Sequence, residues 1–169
     1  MQNKRLATVL TIGVIAMTGS LAWSDEYDAA AVAKYLPTAK VTLQQGLTAA
    51  ETQGKPISGK FEVEDGHFQL SVYTAQGGKF SEVLIDHNTG KVAKTETITE
   101  GDDLADARKE MEACGKSKKS LQSVVDHAEQ ASSGYRAVSV TPQVSGGRAV
   151  AVVTLLKGTS SKAVSEPLE

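Results

Sequence analysis

The stretch Lys60–Tyr73, with the sequence KFEVEDGHFQLSVY, decides the fold. Polar and apolar residues alternate on both sides of a central Asp65-Gly66 pair, which is typical of two strands that each bury one face. Asp-Gly is also the pair that a two-residue type I′ hairpin turn prefers. Such a turn places Phe61 opposite Leu70. We therefore predict an antiparallel hairpin whose register is set by its turn.

A short helix precedes this hairpin. Thr42 and Gln45 have the spacing of a capping box, and apolar residues follow with helical spacing at Leu43, Leu47 and Ala50. Another strand is predicted after the hairpin, over residues 80–86. The first half of the chain thus predicts a helix followed by a small antiparallel sheet.

The second half of the chain repeats this order. A shift of 78 positions places Leu43 on Leu121, and after a small gap Gly66 falls on Gly147. Self-similarity of this kind is typical of one supersecondary unit used twice. The corresponding strands are predicted over residues 136–141, 148–156 and 162–166.

Helices are also predicted before each unit. One spans residues 25–36 and the other residues 102–114, where Cys114 closes an apolar stripe and is expected to be a small buried hydrophobic residue. The predicted fold is α+β, with tandem helix-plus-antiparallel-sheet repeats. The predicted segments are a signal peptide (1–24), a first repeat (25–99), a linker helix region (100–119) and a second, degenerate repeat (120–169).

The first 24 residues have the pattern of a cleavable secretory signal peptide. Lys4-Arg5 precede the uncharged stretch 6–17, and small residues then lead to the cleavage region. Cleavage is predicted after Ser24, with Ala22 as the alternative. The apolar run is shorter than the roughly 20 residues that a membrane-spanning helix needs. We therefore expect a periplasmic or secreted protein with no membrane span after signal removal.

Composition and motifs exclude several classes of function. The chain carries 18 basic and 20 acidic residues, whereas a nucleic-acid-binding protein has a clustered basic excess. Its single cysteine excludes an intramolecular disulfide and a Cys-rich metal site. No catalytic motif is present, and the three histidines are isolated in sequence. We expect no catalytic, cofactor-binding or metal-ligating residues, and no nucleic-acid partner.

Residues 83–92, with the sequence VLIDHNTGKV, follow the predicted strand over residues 80–86. Asp86, Asn88 and Gly90 are typical turn residues, so we predict a structural role for them, as for Asp65 and Gly66. This stretch resembles the late V-x-V-D-x-x-T-G-K-V motif of the PepSY family. The resemblance covers residues 40–94, and residues 118–169 are a degenerate copy without D-x-x-T-G.

The PepSY resemblance implies a cystatin-like layered fold and a function without catalysis. Members of the family occur in propeptides of secreted metalloproteases and as small exported proteins, with a proposed role in restraining proteases. We therefore expect an exported binding or regulatory module that restrains a secreted protease or another envelope protein. The alternative is a periplasmic accessory protein associated with a small ligand, a metal or haem.

One row of residues in the second repeat is expected to form a partner surface. If the apolar residues of the hairpin face the helix, the equivalent residues Ala149, Ala151 and Val153 turn inward. The opposite side of that strand is then apolar, and a helix covers only one side of the sheet. This row must pack against the other repeat, a second copy of the chain, or a partner protein. Its members are Val150, Val152, Thr154 and Leu156.

Overall fold

One seven-stranded antiparallel sheet runs through residues 28–169, the part of the chain that this computed structural model describes. The fold is α+β, as predicted. Its elements are α1 (Ala29–Tyr35), a 3₁₀ turn (Leu36–Thr38), α2 (Leu43–Ala50), β1 (Lys55–Glu64), β2 (His67–Gln76), β3 (Lys79–Ile85), β4 (Val92–Ile98), α3 (Gly101–Gly115), α4 (Leu121–Gln130), β5 (Arg136–Ser145), β6 (Arg148–Lys157) and β7 (Ser160–Pro167). The strand order is β4-β3-β2-β1-β5-β6-β7. The predicted signal peptide and the predicted start of the first helix lie outside the described residues.

The β1–β2 hairpin has the predicted register, with Phe61 opposite Leu70. Asp65 and Gly66 form the two-residue turn, with φ angles of 49° and 77°. A type I′ turn needs a positive φ at both positions. Local turn chemistry and strand patterning therefore agree on one pairing.

The β5–β6 hairpin matches the β1–β2 hairpin in the length of its strands and in the position of its register shift. Each strand in the two hairpins has 10 residues. The first pair has a register shift between Pro56 and Ser58, and the second has one between Ala137 and Ser139. A shift of 81 positions carries Pro56 onto Ala137 and Ser58 onto Ser139.

Helices α2 and α4 lie on the same side of the sheet, which we call the helix face. Their capping residues are Thr42, which completes the predicted capping box with Gln45, and Ser120. A Cβ atom at Gly59 of β1 would lie 3.2 Å from Leu47, so glycine allows α2 to approach the sheet closely. The core between these layers is apolar and fully enclosed, and Ala149, Ala151 and Val153 point into it as predicted.

Helix α3 crosses the opposite side of the sheet, which we call the α3 face. The Ser58 hydroxyl donates a 2.6 Å hydrogen bond to Glu110, and Ile57 packs against Ala107 and Cys114. The expectation that helices cover only one side of the sheet was therefore wrong. The linker is a 15-residue helix, long enough to cross β1 and β5 and reach β6. The predicted burial of Cys114 is confirmed, since it is 3% exposed.

Strand β4 was not predicted from the sequence. It is an edge strand, and the inner five of its seven residues are exposed. An edge strand with solvent on both sides has no buried face, so it lacks the alternation of polar and apolar residues on which the other strands were predicted.

Candidate functional site

The α3 face of strands β1–β4 carries a mixed, mainly acidic set of side chains. We call this set the acidic surface; it consists of Glu62, Glu64, Glu82 and Glu96, with Lys60 and Lys94. The strand register places these residues on one side, because Lys60 pairs with Ser71, Ser71 with Leu84, and Leu84 with Lys94. Carboxylates therefore outnumber ammonium groups two to one on this surface.

Lys60 provides most of the charge compensation near β1. Its Nζ atom lies 2.6 Å from Glu62 Oε2 and 5.8 Å from the centre of the Tyr73 ring. Burial lowers the pKa of Lys60, but the charge of Glu62, the hydrogen bond with Glu62 and the charges of Glu82 and Asp103 together outweigh that effect, so the pKa is raised. Lys60 therefore stays protonated over the whole physiological range.

Glu82 of β3 is a half-buried carboxylate of the acidic surface, and its pKa is raised although the charge of Lys60 lowers it. Burial raises its pKa, a hydrogen bond with Ser71 partly opposes this, and the charges of Glu62 and Glu64 raise the pKa further. Glu96 lies directly opposite Glu82 on β4. Like charges directly opposite each other destabilise a strand pair, so a cation placed here would be bound favourably.

Glu110 of α3 lies between the helix and the sheet. Burial raises its pKa to about 7, although the hydrogen bond from Ser58 opposes the shift. The charges of Asp103 and Asp106 on α3 also raise the pKa, while Lys60 lowers it. Glu110 therefore changes its protonation near neutral pH at the contact between α3 and β1.

The apolar row predicted in β6 is only partly accessible. Val152 and Leu156 are 5% and 2% exposed, and Leu156 belongs to the main core. Val150 and Thr154 are half-buried. Val152 and Thr154 lie on the α3 face, since they pair with Thr141 and Ser139. Contact of α3 with β5 and β6 explains why the row is not open to solvent along its length.

The D-x-x-T-G stretch forms a tight turn between β3 and β4. The Asp86 carboxylate accepts hydrogen bonds from the backbone N–H groups of Asn88 (2.8 Å) and Thr89 (2.9 Å), which lower its pKa. Gly90 has a φ angle of 74°. The His87 carbonyl accepts hydrogen bonds from the Lys40 and Val41 backbone. The turn therefore anchors the segment that leads into α2.

This turn also borders an open depression of about 330 Å³. Its lining residues are Lys40, Val41, Gln45, Asn88, Thr89 and Gly90. The backbone N–H groups of residues 88–91 already donate hydrogen bonds within the chain, which favours a structural role for the turn over anion binding.

The three histidines lie in different parts of the structure. His67 is exposed next to the hairpin turn, His87 packs edge-on against Phe68, and His127 lies 2.8 Å from Glu166 of β7. Within residues 28–169, no three His, Cys, Asp or Glu side chains lie close enough together to hold a metal ion.

Sequence reasoning missed the acidic surface. The β1 part of this surface could have been predicted, because Lys60, Glu62 and Glu64 occupy the polar positions of the predicted hairpin. Glu82 and Glu110 carried no such signal, since their burial depends on the packing of α3 and β4 against the central strands.

Comparison with known proteins gives little beyond the structure itself. No family model matches the chain, and no curated protein matches it. Among solved structures, the chain is similar to a predicted lipoprotein from Clostridium difficile 630, with a TM-score of 0.45 and 14% sequence identity. That alignment covers 78% of this chain and 88% of the other. A similarity of this size carries no argument about function.

No helix within residues 28–169 is long and apolar enough to cross a membrane.

Proposed function

We propose that this chain is an exported, non-enzymatic module that binds another protein of the cell envelope through its acidic surface. Export rests on the signal-peptide pattern of residues 1–24, and a periplasmic or secreted location follows from it. The PepSY resemblance of residues 40–94 suggests a secreted protease as the class of partner, which the module would restrain.

The observation that carries this proposal is the crowding of carboxylates around Glu82. Glu62 and Glu64 raise its pKa, and Glu96 lies opposite it. Lysine or arginine side chains of a partner would relieve this repulsion, so the acidic surface favours a partner with a basic segment. The members of the surface lie on three strands, β1, β3 and β4, and this extent suits a protein partner better than a small ligand.

The proposal is tested by affinity capture from periplasmic extract of the native host. The wild-type protein is compared with the double variant Glu64→Gln/Glu82→Gln, which removes two charges from the acidic surface. The control Glu51→Gln/Asp126→Asn removes two charges from α4 and the end of α2, on the helix face. We expect a partner that the wild type and the control retain, and that the surface variant loses.

Salt dependence gives a second readout of the same experiment. Binding through the acidic surface should weaken as ionic strength rises, because salt screens exposed charges. A partner retained equally by all three proteins, or no partner at all, would contradict the proposal.

A further inference from the structure

Strand β4 leaves one edge of the sheet open within the described part of the chain. Its sequence, VAKTETI, contains neither proline nor glycine. Natural proteins protect such edges with proline, bulges or covering segments, because an open edge pairs readily with another strand. Strand β4 has a register shift at its start, where Ile85 pairs with Val92 and Leu84 with Lys94, but it pairs regularly with β3 over residues 94–98. This regular, exposed part of the edge is a surface that can accept a further strand.

We propose that two copies of this chain pair antiparallel through β4, about a twofold axis at Thr95. This register makes the strand complementary to itself. Lys94 of each copy lies opposite Glu96 of the other. Thr95 pairs with its own equivalent. Opposite-charge cross-strand pairs stabilise a sheet.

The two sides of β4 carry different parts of this pairing. Lys94 and Glu96 lie on the α3 face, opposite Leu84 and Glu82, whereas Thr95 lies on the helix face, opposite Val83. The joined sheet would therefore have both ion pairs on the α3 face and the threonine pair on the helix face. The acidic surfaces of the two copies would adjoin across the new strand pair.

The charges of β4 also favour this register over the registers centred one residue earlier or later. A shift that centres the pairing on Lys94 places two lysines opposite each other, and one that centres it on Glu96 places two glutamates opposite each other. Like charges directly opposite destabilise a strand pair. The register centred on Thr95 avoids both arrangements.

The second copy would place a further positive charge beside Glu96. Glu96 has Glu82 opposite it on β3 and is paired with Lys94 of its own strand at 2.8 Å. That ion pair is exposed, with side-chain exposures of 58% and 53%, so it contributes little in the single chain. Lys94 of the second copy would flank Glu96 on the side away from Glu82.

The other edge of the sheet, β7, is less suited to such pairing. Pro167 at its end has no backbone N–H, and the Pro167 carbonyl accepts a 2.8 Å hydrogen bond from Lys119. Its charged side chains have partners within the chain, since Glu166 lies 2.8 Å from His127 and Lys162 lies 4.4 Å from the centre of the Tyr135 ring. We therefore assign the contact to β4.

Sedimentation equilibrium of the purified protein, at concentrations up to about 1 mM, tests this proposal. The wild type should show a monomer–dimer equilibrium. Lys94→Glu or Glu96→Lys alone puts like charges opposite each other twice per dimer, and each should weaken association about tenfold or more. An equimolar mixture of the two variants should restore the dimer, as should the double variant Lys94→Glu/Glu96→Lys.

Lys162→Glu on β7 serves as the matched control and should leave association unchanged. Circular dichroism confirms that every variant is folded. A wild type that is monomeric throughout, a dimer insensitive to both single reversals, or a mixture of the reversed variants that fails to associate would each overturn the proposal. Open-ended oligomers, which β4–β7 pairing would produce, would overturn it as well. The proposal does not rest on the proposed function.

Discussion

The Arg136 guanidinium donates a 2.6 Å hydrogen bond to the backbone carbonyl of Val41, 95 residues earlier in the chain. It also reaches the Leu36 carbonyl at 3.1 Å. Lys55 occupies the equivalent position at the start of β1, and its Nζ atom lies 3.5 Å from the Cys114 carbonyl. The first strand of each half thus holds the end of a helical segment from the other half, which joins the halves into one structure.

Arg136→Ala should lower the free energy of unfolding by about 2–4 kcal/mol. The substitution removes a half-buried charge-assisted donor and leaves the Val41 carbonyl without that partner, whereas the Leu36 carbonyl keeps its hydrogen bond from the Ala39 N–H group. Chemical denaturation measures the change. Lys55→Ala is the internal comparison and should cost less than about 1 kcal/mol, because its hydrogen bond is long. Equal losses in the two variants would contradict this account of Arg136.

Glu110→Gln should remove a pH dependence of stability near neutral pH. The pKa of Glu110 is about 7 in the folded chain, above its ordinary value of 4.5. Between these values the unfolded chain binds fewer protons than the folded chain, so stability falls as pH rises through 7. At pH 8 the variant should be more stable than the wild type by roughly 3 kcal/mol, and the difference should shrink towards pH 5.

Thermal and chemical unfolding from pH 5 to pH 9 measure this difference. Glu112→Gln, at an exposed position on the same helix, is the control. It should change neither the free energy of unfolding nor the slope of that free energy with pH. If the free energies of unfolding of the wild type and Glu110→Gln differed by the same amount from pH 5 to pH 9, Glu110 would be ionised over that whole range in the folded chain.

The Cys114 thiol should react slowly with thiol reagents in the native protein. Burial raises its pKa to about 11, and nearby Lys55 opposes this only in part. Cys114→Ala should cost on the order of 1 kcal/mol, because the side chain fills space against Ile57 and Ala107. The labelling rate is compared with that of the chain unfolded in urea. Similar rates in the two states would sink the prediction.

Gly66→Val should destabilise the hairpin through backbone strain alone. The φ angle of Gly66 is 77°, and a Cβ atom there would meet nothing within 4 Å. A β-branched residue disfavours this conformation, so we expect a loss of about 1–2 kcal/mol. Gly90→Val should show a similar loss, since Gly90 also has a positive φ, of 74°. Unchanged melting temperatures for both variants would contradict the turn assignments.

Val152→Lys should destabilise the fold far more than Val150→Lys. Val152 is 5% exposed on the α3 face, so a lysine there buries a charge or displaces the packing around it. We expect a loss of about 3 kcal/mol or more for Val152→Lys, and less than 1 kcal/mol for the half-buried Val150. If Val152→Lys left stability unchanged but abolished partner binding, the row would be an interface instead.

The sequence predicted those elements that are specified by residues close together in the chain. The β1–β2 register follows from Asp65-Gly66 and the alternation around it, and the start of α2 follows from Thr42 and Gln45. In each case the residues that specify the structure are neighbours in the chain, so turn and capping preferences were sufficient.

Other features depend on residues that meet only after the chain folds. Helix α3 was predicted from its own periodicity, but its position across β1 and β5 depends on Ile57 and Ser58, more than 40 residues earlier. Strand β4 pairs with β3 through backbone hydrogen bonds and has no buried face, so its sequence lacks the alternation of a half-buried strand.

The sequence by itself determined the α+β class, the hairpin register, the helix caps and the burial of Cys114, because short-range patterns encode them. Only the tertiary structure decided that one sheet joins both halves, that α3 covers part of its second face, and that Glu82 and Glu110 become partly buried carboxyl groups. The burial of these carboxyl groups and the crowding of charge around them depend on contacts between residues far apart in the chain. Short-range sequence patterns do not encode those contacts.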